Sequence, residues 1–193
     1  MNIKEIVGDY NSFLDTIFEL LRKGGFKESE LKELPIDHIC YRVSTNELYD
    51  EKKNQLNQLG ELLVETEIGG RMISTYKLTN PIQYKDKSIP LIELPAPKKN
   101  RINYDGLEHI EMVINEPFQS FVDNHPIPTD ENSKFNWVLH ALKKDINPDV
   151  ECEFIDPRVQ HEIRTISVKF HHQSLEEVVK YEIQLLKEKE NNQ

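Results

Sequence analysis

The chain has 193 residues, 30% of them charged and 37% hydrophobic, which suits one compact domain or two small modules able to bury a proper core. Its formal net charge of −10 argues against a general nucleic-acid binder, because such proteins need a basic face to neutralise phosphates. No apolar run approaches the roughly 20 residues that span a bilayer, and the opening MNIKEIVGDYNSF has no basic segment followed by an apolar stretch, so neither a membrane span nor a secretory signal is expected.

Apolar residues between positions 4 and 24 (Ile6, Val7, Phe13, Leu14, Ile17, Phe18, Leu20, Leu21) recur at helical spacing, and Gly24-Gly25 ends the pattern. From Asp37 the period changes to two, and DHICYRV reads as a strand. TNELYDEKKNQLNQLG follows as a helix capped by Thr45 or Asn46 and stopped at Gly60. GELLVETEI and GRMISTYKL flank Gly69-Gly70 as a hairpin, and SIPLIELP is a fourth strand. The segment 96–106, APKKNRINYDG, reads as a linker, in which Lys98, Lys99 and Arg101 form a small basic cluster on a solvated loop.

After the linker the order restarts. LEHIEMVI is a strand, EPFQSFVDNHP a short helix with Pro117 in its first turn, and IPTDENSK a loop. NWVLHAL, DVECEFID and RTISVKF are three candidate strands, with NWVLHALKK equally readable as a helix. SLEEVVKYEIQLLKEKE closes the chain as a helix, with Ser174 as N-cap and Glu177 completing a capping box. The expected organisation is an N-terminal helical segment (1–30), a first βαβββ module (31–95), the linker (96–106), a second βαβββ module (107–173) and a C-terminal helix (174–193). The two modules form one domain of α+β class. The cysteines, Cys40 and Cys152, both fall in predicted strands and read as buried free thiols of a reducing compartment, so a cytoplasmic location is expected.

One feature of this repeat carries chemistry. Residues 37–39 (Asp-His-Ile) recur, 71 positions on, as residues 108–110 (Glu-His-Ile). Side chains alternate along a strand, so His38, Cys40 and Arg42 share one face, as do His109 and Glu111. Glu93 lies opposite Ile92 and Leu94, and Lys169 and His171 lie opposite Val168 and Phe170. If the two copies pair about a local twofold, His38 and His109 converge and Glu93 joins them. Two imidazoles and one carboxylate are the donor set that suits Fe, Mn, Zn or Ni, with open positions for substrate. The bland alternative is a polar, solvent-facing strand surface.

These segments, DHICYR, GGRMISTYKLTNPI, LIELPAPKKNRINYDGLEHIEMVI and ISVKFHHQSLEEVVKYE, in that order, resemble the YecM family of bacterial proteins over roughly residues 10–182. The resemblance implies a vicinal-oxygen-chelate fold, the glyoxalase-like architecture of two βαβββ modules in a cupped mixed sheet. It carries metal ligands onto His38, Glu93 and His109. Where glyoxalase I has a fourth ligand, a glutamate, this sequence has Lys169, which points to a three-ligand site. It implies no particular substrate or reaction; an isomerase, lyase or dioxygenase chemistry would each fit.

The expected site is therefore a divalent metal (Zn, Fe, Ni or Mn) on His38, Glu93 and His109, with Glu111 and Lys169 as catalytic groups. Arg42, Lys169 and His171 would bind a small anionic substrate. For Arg42 the competing role is an ion pair with Glu111 or Glu93. Ser74 and Tyr76 are candidates for the cup lining, with core packing the alternative for Tyr76. Glu61, Glu65 and Glu67 read as a solvated strand face, Arg71 as a hairpin-end residue with contact to substrate the lesser alternative, Trp137 as core, and His125, His140 and His161 as structural or surface groups. Two other functions compete: a metal-free module that sequesters a small ligand on the same fold, and a protein-interaction module using the terminal helices. The expected partner is a small molecule, with neither nucleic acid nor membrane, and homodimerisation is left open.

Overall fold

The computed structural model describes residues 1–126, 135–159 and 163–191. The expected loop at 127–134 and His161 lie outside the described residues. The N-terminal apolar pattern forms two helices rather than one, α1 (Ile3–Val7) and α2 (Tyr10–Lys23). Gly8, with φ 81°, takes the left-handed conformation that a glycine adopts without steric cost and so breaks the run. A capping box between Asn2 and Glu5 closes the other end of α1. A further short helix, α3 (Glu28–Glu33), precedes the first strand and has too little apolar periodicity to be expected.

The strands are β1 (Ile36–Arg42), β2 (Gly60–Ile68), β3 (Arg71–Tyr84), β4 (Lys87–Pro95), β5 (Gly106–Val113), β6 (Asn136–Val138), β7 (Val150–Ile155) and β8 (Thr165–His171). Helix α4 (Asn46–Leu56) follows β1, α5 (Phe118–Asn124) follows β5, and α6 (Leu175–Asn191) closes the chain. The order βαβββ thus occurs twice. The stretch NWVLHAL is a strand only over Asn136–Val138. Leu139 leaves extended geometry (ψ 5°) and His140–Lys143 form a 3₁₀ turn that buries Ala141. This leaves β6 as a very short edge strand, which offers little unpaired backbone to another chain.

All eight strands form one sheet in the order β2-β3-β4-β1-β5-β8-β7-β6. At its centre β1 and β5 run antiparallel, with His38 opposite Glu111, Ile39 opposite Ile110 and Cys40 opposite His109. The 71-residue offset maps each of these pairs onto another, so a local twofold passes between Ile39 and Ile110. On either side the pairing is parallel: Cys40 sits beside Glu93 on β4, and Glu111 beside Lys169 on β8. Lys169 is thus the symmetry counterpart of Glu93. The β2–β3 hairpin turns at Gly69 and Gly70, both with positive φ (60° and 80°), as the twist of a tight hairpin demands.

One face of the sheet carries Ile39, Ile92, Ile110, Met112, Val168 and Phe170, all without solvent exposure, packed in one core with Phe13, Leu14, Ile17 and Leu21 of α2. Ser74 and Tyr76 belong to this face. Ser74 meets the Tyr49 hydroxyl of α4, and the Tyr76 hydroxyl donates to the Lys53 carbonyl. They therefore do not line the cup, because the register of β3 turns them towards the helices. Glu65 likewise is half-buried and turned to α4: it accepts from Tyr49 Oη and Lys53 Nζ. His125 stacks on Phe26 and bonds Glu30, a core role, and Trp137 packs on the same aromatic group.

The opposite face carries His38, Glu93, His109, Glu111 and Lys169. Helix α6 lies on this side: its Glu176 pairs with Lys77, a residue two along β3 from Thr75, the partner of Glu93. Ser174 and Glu177 form the expected capping box at its start.

Two stability predictions follow from this packing. Phe170 is fully buried against Phe26, Phe121 and Trp137, so Phe170→Ala should cost about 3–5 kcal/mol in chemical denaturation. Asp156 is buried and accepts from the backbone N, Nε and Nη2 of Arg158 at 3.0, 2.8 and 2.7 Å. Burial alone would raise its pKa, but Arg158 outweighs burial and lowers it from 3.8. A depressed carboxylate stabilises above its unfolded pKa and loses that contribution as pH falls through the folded value. Asp156→Asn should therefore cost about 1–3 kcal/mol at neutral pH, a deficit that narrows in denaturation series as pH falls below the ordinary carboxylate value of 3.8 and through the lowered folded value.

Candidate functional site

The two histidines of the repeat are both 1% exposed, and each is held by the acid that precedes it. His38 Nδ1 lies 2.8 Å from Asp37 Oδ2, and His109 Nδ1 lies 3.1 Å from Glu108 Oε2. An ionised carboxylate can only accept, so each Nδ1 must carry the proton, and in the neutral ring the Nε2 lone pair is left for the cup. This is what the acid-His-Ile echo encodes. The sequence reading placed His38 and His109 in the site but gave Asp37 and Glu108 no role there.

The Nε2 atoms converge on two acids, Glu111 and Glu93. Glu111 Oε1 is 3.4 Å from both His38 Nε2 and His109 Nε2, and its Oε2 is 3.5 Å from His171 Nε2. Glu93 Oε2 is 3.8 Å from His109 Nε2. His38, Glu93 and His109 each offer one ligand atom such that all lie within 4.8 Å of one another. Two further triplets overlap this one: Asp37, His38 and His171, and Cys40, Glu108 and His109. Among the described residues, the buried atoms His38 Nε2 and His171 Nε2 have no hydrogen-bond partner.

Lys169 sits among these groups. Its ammonium donates to Glu111 Oε1 at 2.8 Å and to His109 Nε2 at 3.2 Å. Burial opposes its charge, but Glu111 and Glu93 outweigh burial and raise its pKa, so it remains an ammonium. Burial would likewise raise the Glu111 pKa, but Lys169 and His38 hold that carboxyl well below the usual range. Burial works against charge on His38, yet Glu111, Asp37 and Glu93 lift it to about 10. The site is short of positive charge. Three carboxylates (Asp37, Glu93, Glu111) face one ammonium, Lys169, while Glu108 is balanced by Arg42, which leaves two negative charges when the imidazoles are neutral. Buried charge is stable only when paired, so the cluster calls for two protons or one divalent cation.

His171 is fully buried; burial lowers its pKa, and its Nδ1 meets the Gln173 carbonyl oxygen. Asp37 ties this end together, since its Oδ2 also accepts from the Leu175 amide at the start of α6 (2.9 Å). Arg42 stands apart from this cluster, towards the strand end. It pairs with Glu108, rather than with Glu111 or Glu93. Glu108 therefore links Arg42 to His109, and Arg42 raises no new charge in the cup itself.

A family model described as YecM protein matches residues 2–182. Protein YecM of Escherichia coli (strain K12) is 30% identical over 190 residues, covering 92% of this chain and 92% of its own. An uncharacterized protein of Haemophilus influenzae (strain ATCC 51907 / DSM 11121 / KW20 / Rd) is 24% identical over 165 residues, covering 79% of this chain and 82% of its own. Among solved structures, one titled Protein EC4020 superposes with a TM-score of 0.70 at 26% identity, over 93% of this chain and 92% of that one.

The anchoring of His38 can be tested directly. In Asp37→Asn the Nδ1–H loses its charged acceptor, so long-range ¹H–¹⁵N spectra recorded through a pH titration should show the His38 imidazolium losing its proton at lower pH than in the wild type. An unchanged titration would remove Asp37 from the site.

Proposed function

The chain belongs to the YecM family, and from that premise we propose that its cup is a divalent-metal site acting on a small anionic molecule, in a cytoplasmic protein of vicinal-oxygen-chelate type. The observation that carries this reading is the paired arrangement of His38 and His109. Each is oriented through Nδ1 by its own carboxylate, and with Glu93 each presents a donor within 4.8 Å of the others. The donor set fits a borderline divalent cation, and the two uncompensated negative charges fit its valence. His38, Glu93 and His109 would hold the metal, which when bound supplies Lewis acidity towards a substrate oxygen.

The chain's own groups set the remaining roles. Glu111 is ionised, buried and adjacent to both histidines, so it is the group placed to accept a proton from a bound molecule. Lys169, bonded to Glu111 at 2.8 Å, holds that carboxylate in position and is the cation nearest at hand for an anionic substrate within the cup. His171, buried beside Glu111, completes the wall, and Arg42 at the strand end adds positive charge for substrate. The free, buried thiols of Cys40 and Cys152 and the lack of any described helix long and apolar enough to cross a membrane support the cytoplasmic assignment.

A specific contact supports a second reading. The Lys169 ammonium already occupies the His109 Nε2 lone pair, so Lys169 can serve as the cluster's cation in a metal-free, ligand-sequestering cup.

Metal content by inductively coupled plasma mass spectrometry separates the two, using protein purified without a His-tag or chelator. Near-stoichiometric metal in the wild type, lost in His109→Ala, is the expected result. A wild type that stays empty and takes up no added Fe(II), Ni(II) or Zn(II) would sink the metal reading in favour of the second.

A further inference from the structure

Next to the cup, and sharing a wall with it, lies a second concavity of about 230 Å³. It is lined by five cationic side chains, Arg42, Arg71, Lys98, Arg101 and Arg164, and by one carboxylate, Glu108. Such a concentration is unexpected in a chain of net charge −10. Like charges held together repel, and the effect is visible here. Burial and then Arg42 lower the Arg71 pKa, while burial and then Arg71, Arg42 and Arg101 lower that of Lys98.

The cations are positioned rather than scattered. Asn103 staples the loop from which Lys98 and Arg101 project. Its Oδ1 accepts from the Lys98 amide (2.9 Å), and its Nδ2 donates to the carbonyls of Lys98 (2.9 Å) and Arg101 (3.0 Å). Arg164 is fixed by its bonds to the Asp105 and Leu107 carbonyls, both at 3.0 Å, and it underlies Gly106, whose φ of 120° lets the chain turn over the guanidinium. Arg71 has one long bond, to the Ala96 carbonyl at 3.4 Å. Arg42 spends its Nε on Glu108, and its buried Nη1 has no partner among the described residues. A buried guanidinium N–H without an acceptor costs free energy unless a ligand supplies one. Ile102, 81% exposed, stands on the rim and offers apolar surface beside the charge.

We propose that this cleft is an anion subsite that takes the phosphoryl group of a small organic phosphomonoester. The inference rests on the small-anion reading of the cup and specifies it. The phosphate is anchored in the cleft by Arg42, Arg71, Lys98 and Arg101, and the rest of the molecule extends past Glu108 to the histidine cluster. A monocarboxylate would offset a quarter of the excess charge; a phosphate dianion offsets twice that and presents three oxygens to forked guanidinium donors. A nucleic-acid strand is disfavoured by the size of the cleft and the acidity of the rest of the chain. Because Glu108 bonds both Arg42 and His109 Nδ1, an anion that draws on Arg42 bears directly on the carboxylate that orients His109.

Isothermal titration calorimetry with inorganic phosphate and phenyl phosphate, at low ionic strength, tests the assignment. The whole chain is used, and metal content is assayed on the same samples. Wild type should bind both at one site, phenyl phosphate more tightly, and acetate much more weakly. Arg71→Gln and, separately, the loop double variant Lys98→Gln/Arg101→Gln should each weaken phosphate by about tenfold, with the circular dichroism spectrum unchanged. Lys23→Gln, at an exposed helix lysine paired with Glu19, should keep phosphate affinity within about twofold, since it lies outside both the cleft and the cup. No saturable binding, binding indifferent to both cleft variants, or tighter binding of a single-stranded oligonucleotide than of phenyl phosphate would overturn the proposal. Phosphate binding in protein that takes up no metal would leave the cleft assignment standing while removing the metal reading. Metal uptake without phosphate binding would do the reverse.

Discussion

The structure depends on the antiparallel register between β1 and β5. With His38 opposite Glu111 and Cys40 opposite His109, each strand turns its isoleucine (Ile39, Ile110) to the helices and its histidine to the cup. A slip of one residue would exchange the two faces, placing the imidazoles in the hydrophobic core and the isoleucines among the acids. The apolar face makes that slip prohibitive, because Ile39 and Ile110 are entirely buried at the centre of the core. Hydrophobic burial on one side of the sheet thus holds the chemistry on the other side in register.

The same register concentrates charge. It gathers Glu93, His109, Glu111 and Lys169 from three strands onto one face, and it brings in His38 from a fourth, the β1 strand that lies between β4 and β5. Were the twofold strict, Lys169 would be a second glutamate and the cluster more acidic still. The lysine partly neutralises the site through its 2.8 Å pair with Glu111, and the remaining negative charge is what lifts the His38 pKa. A site with this balance accommodates one added divalent cation or protonated imidazoles, and it holds its residues ready for either by tying both Nδ1 atoms down.

Outside the cup the electrostatics invert. Glu108 stands at the boundary, one oxygen engaged with both Arg42 and His109. Beyond it the stapled 98–103 loop, Arg71 and Arg164 build a positive cleft on an otherwise acidic chain. An acidic pocket beside a basic one is the feature behind the proposed two-ended ligand, with an oxygen donor at one end and an anion at the other.

The sequence by itself determined most of the strands, the two long helices that flank the modules' strands, and the alternating faces of the central strands. Period-two alternation placed each of His38, Glu93, His109, Glu111 and Lys169 opposite the apolar face of its own strand, and the Asp-His-Ile and Glu-His-Ile echo exposed the internal repeat. Residue-level reading also found the hairpin at Gly69-Gly70 and the capping box at Ser174, since both are local signals. It failed where the outcome depends on distant contacts. Ser74, Tyr76 and Glu65 turn to the helices because Tyr49 and Lys53 of α4 meet them there. Asp37 and Glu108 gain their role only when an adjacent imidazole is held within 3.1 Å. Arg42 found Glu108, not the acids closer in pattern, and Arg101, which read as part of a solvated loop, became one wall of a cleft. Alternation gives the side of a strand a residue occupies; only the folded register and the course of the loops decide which charges on that side come within reach of one another.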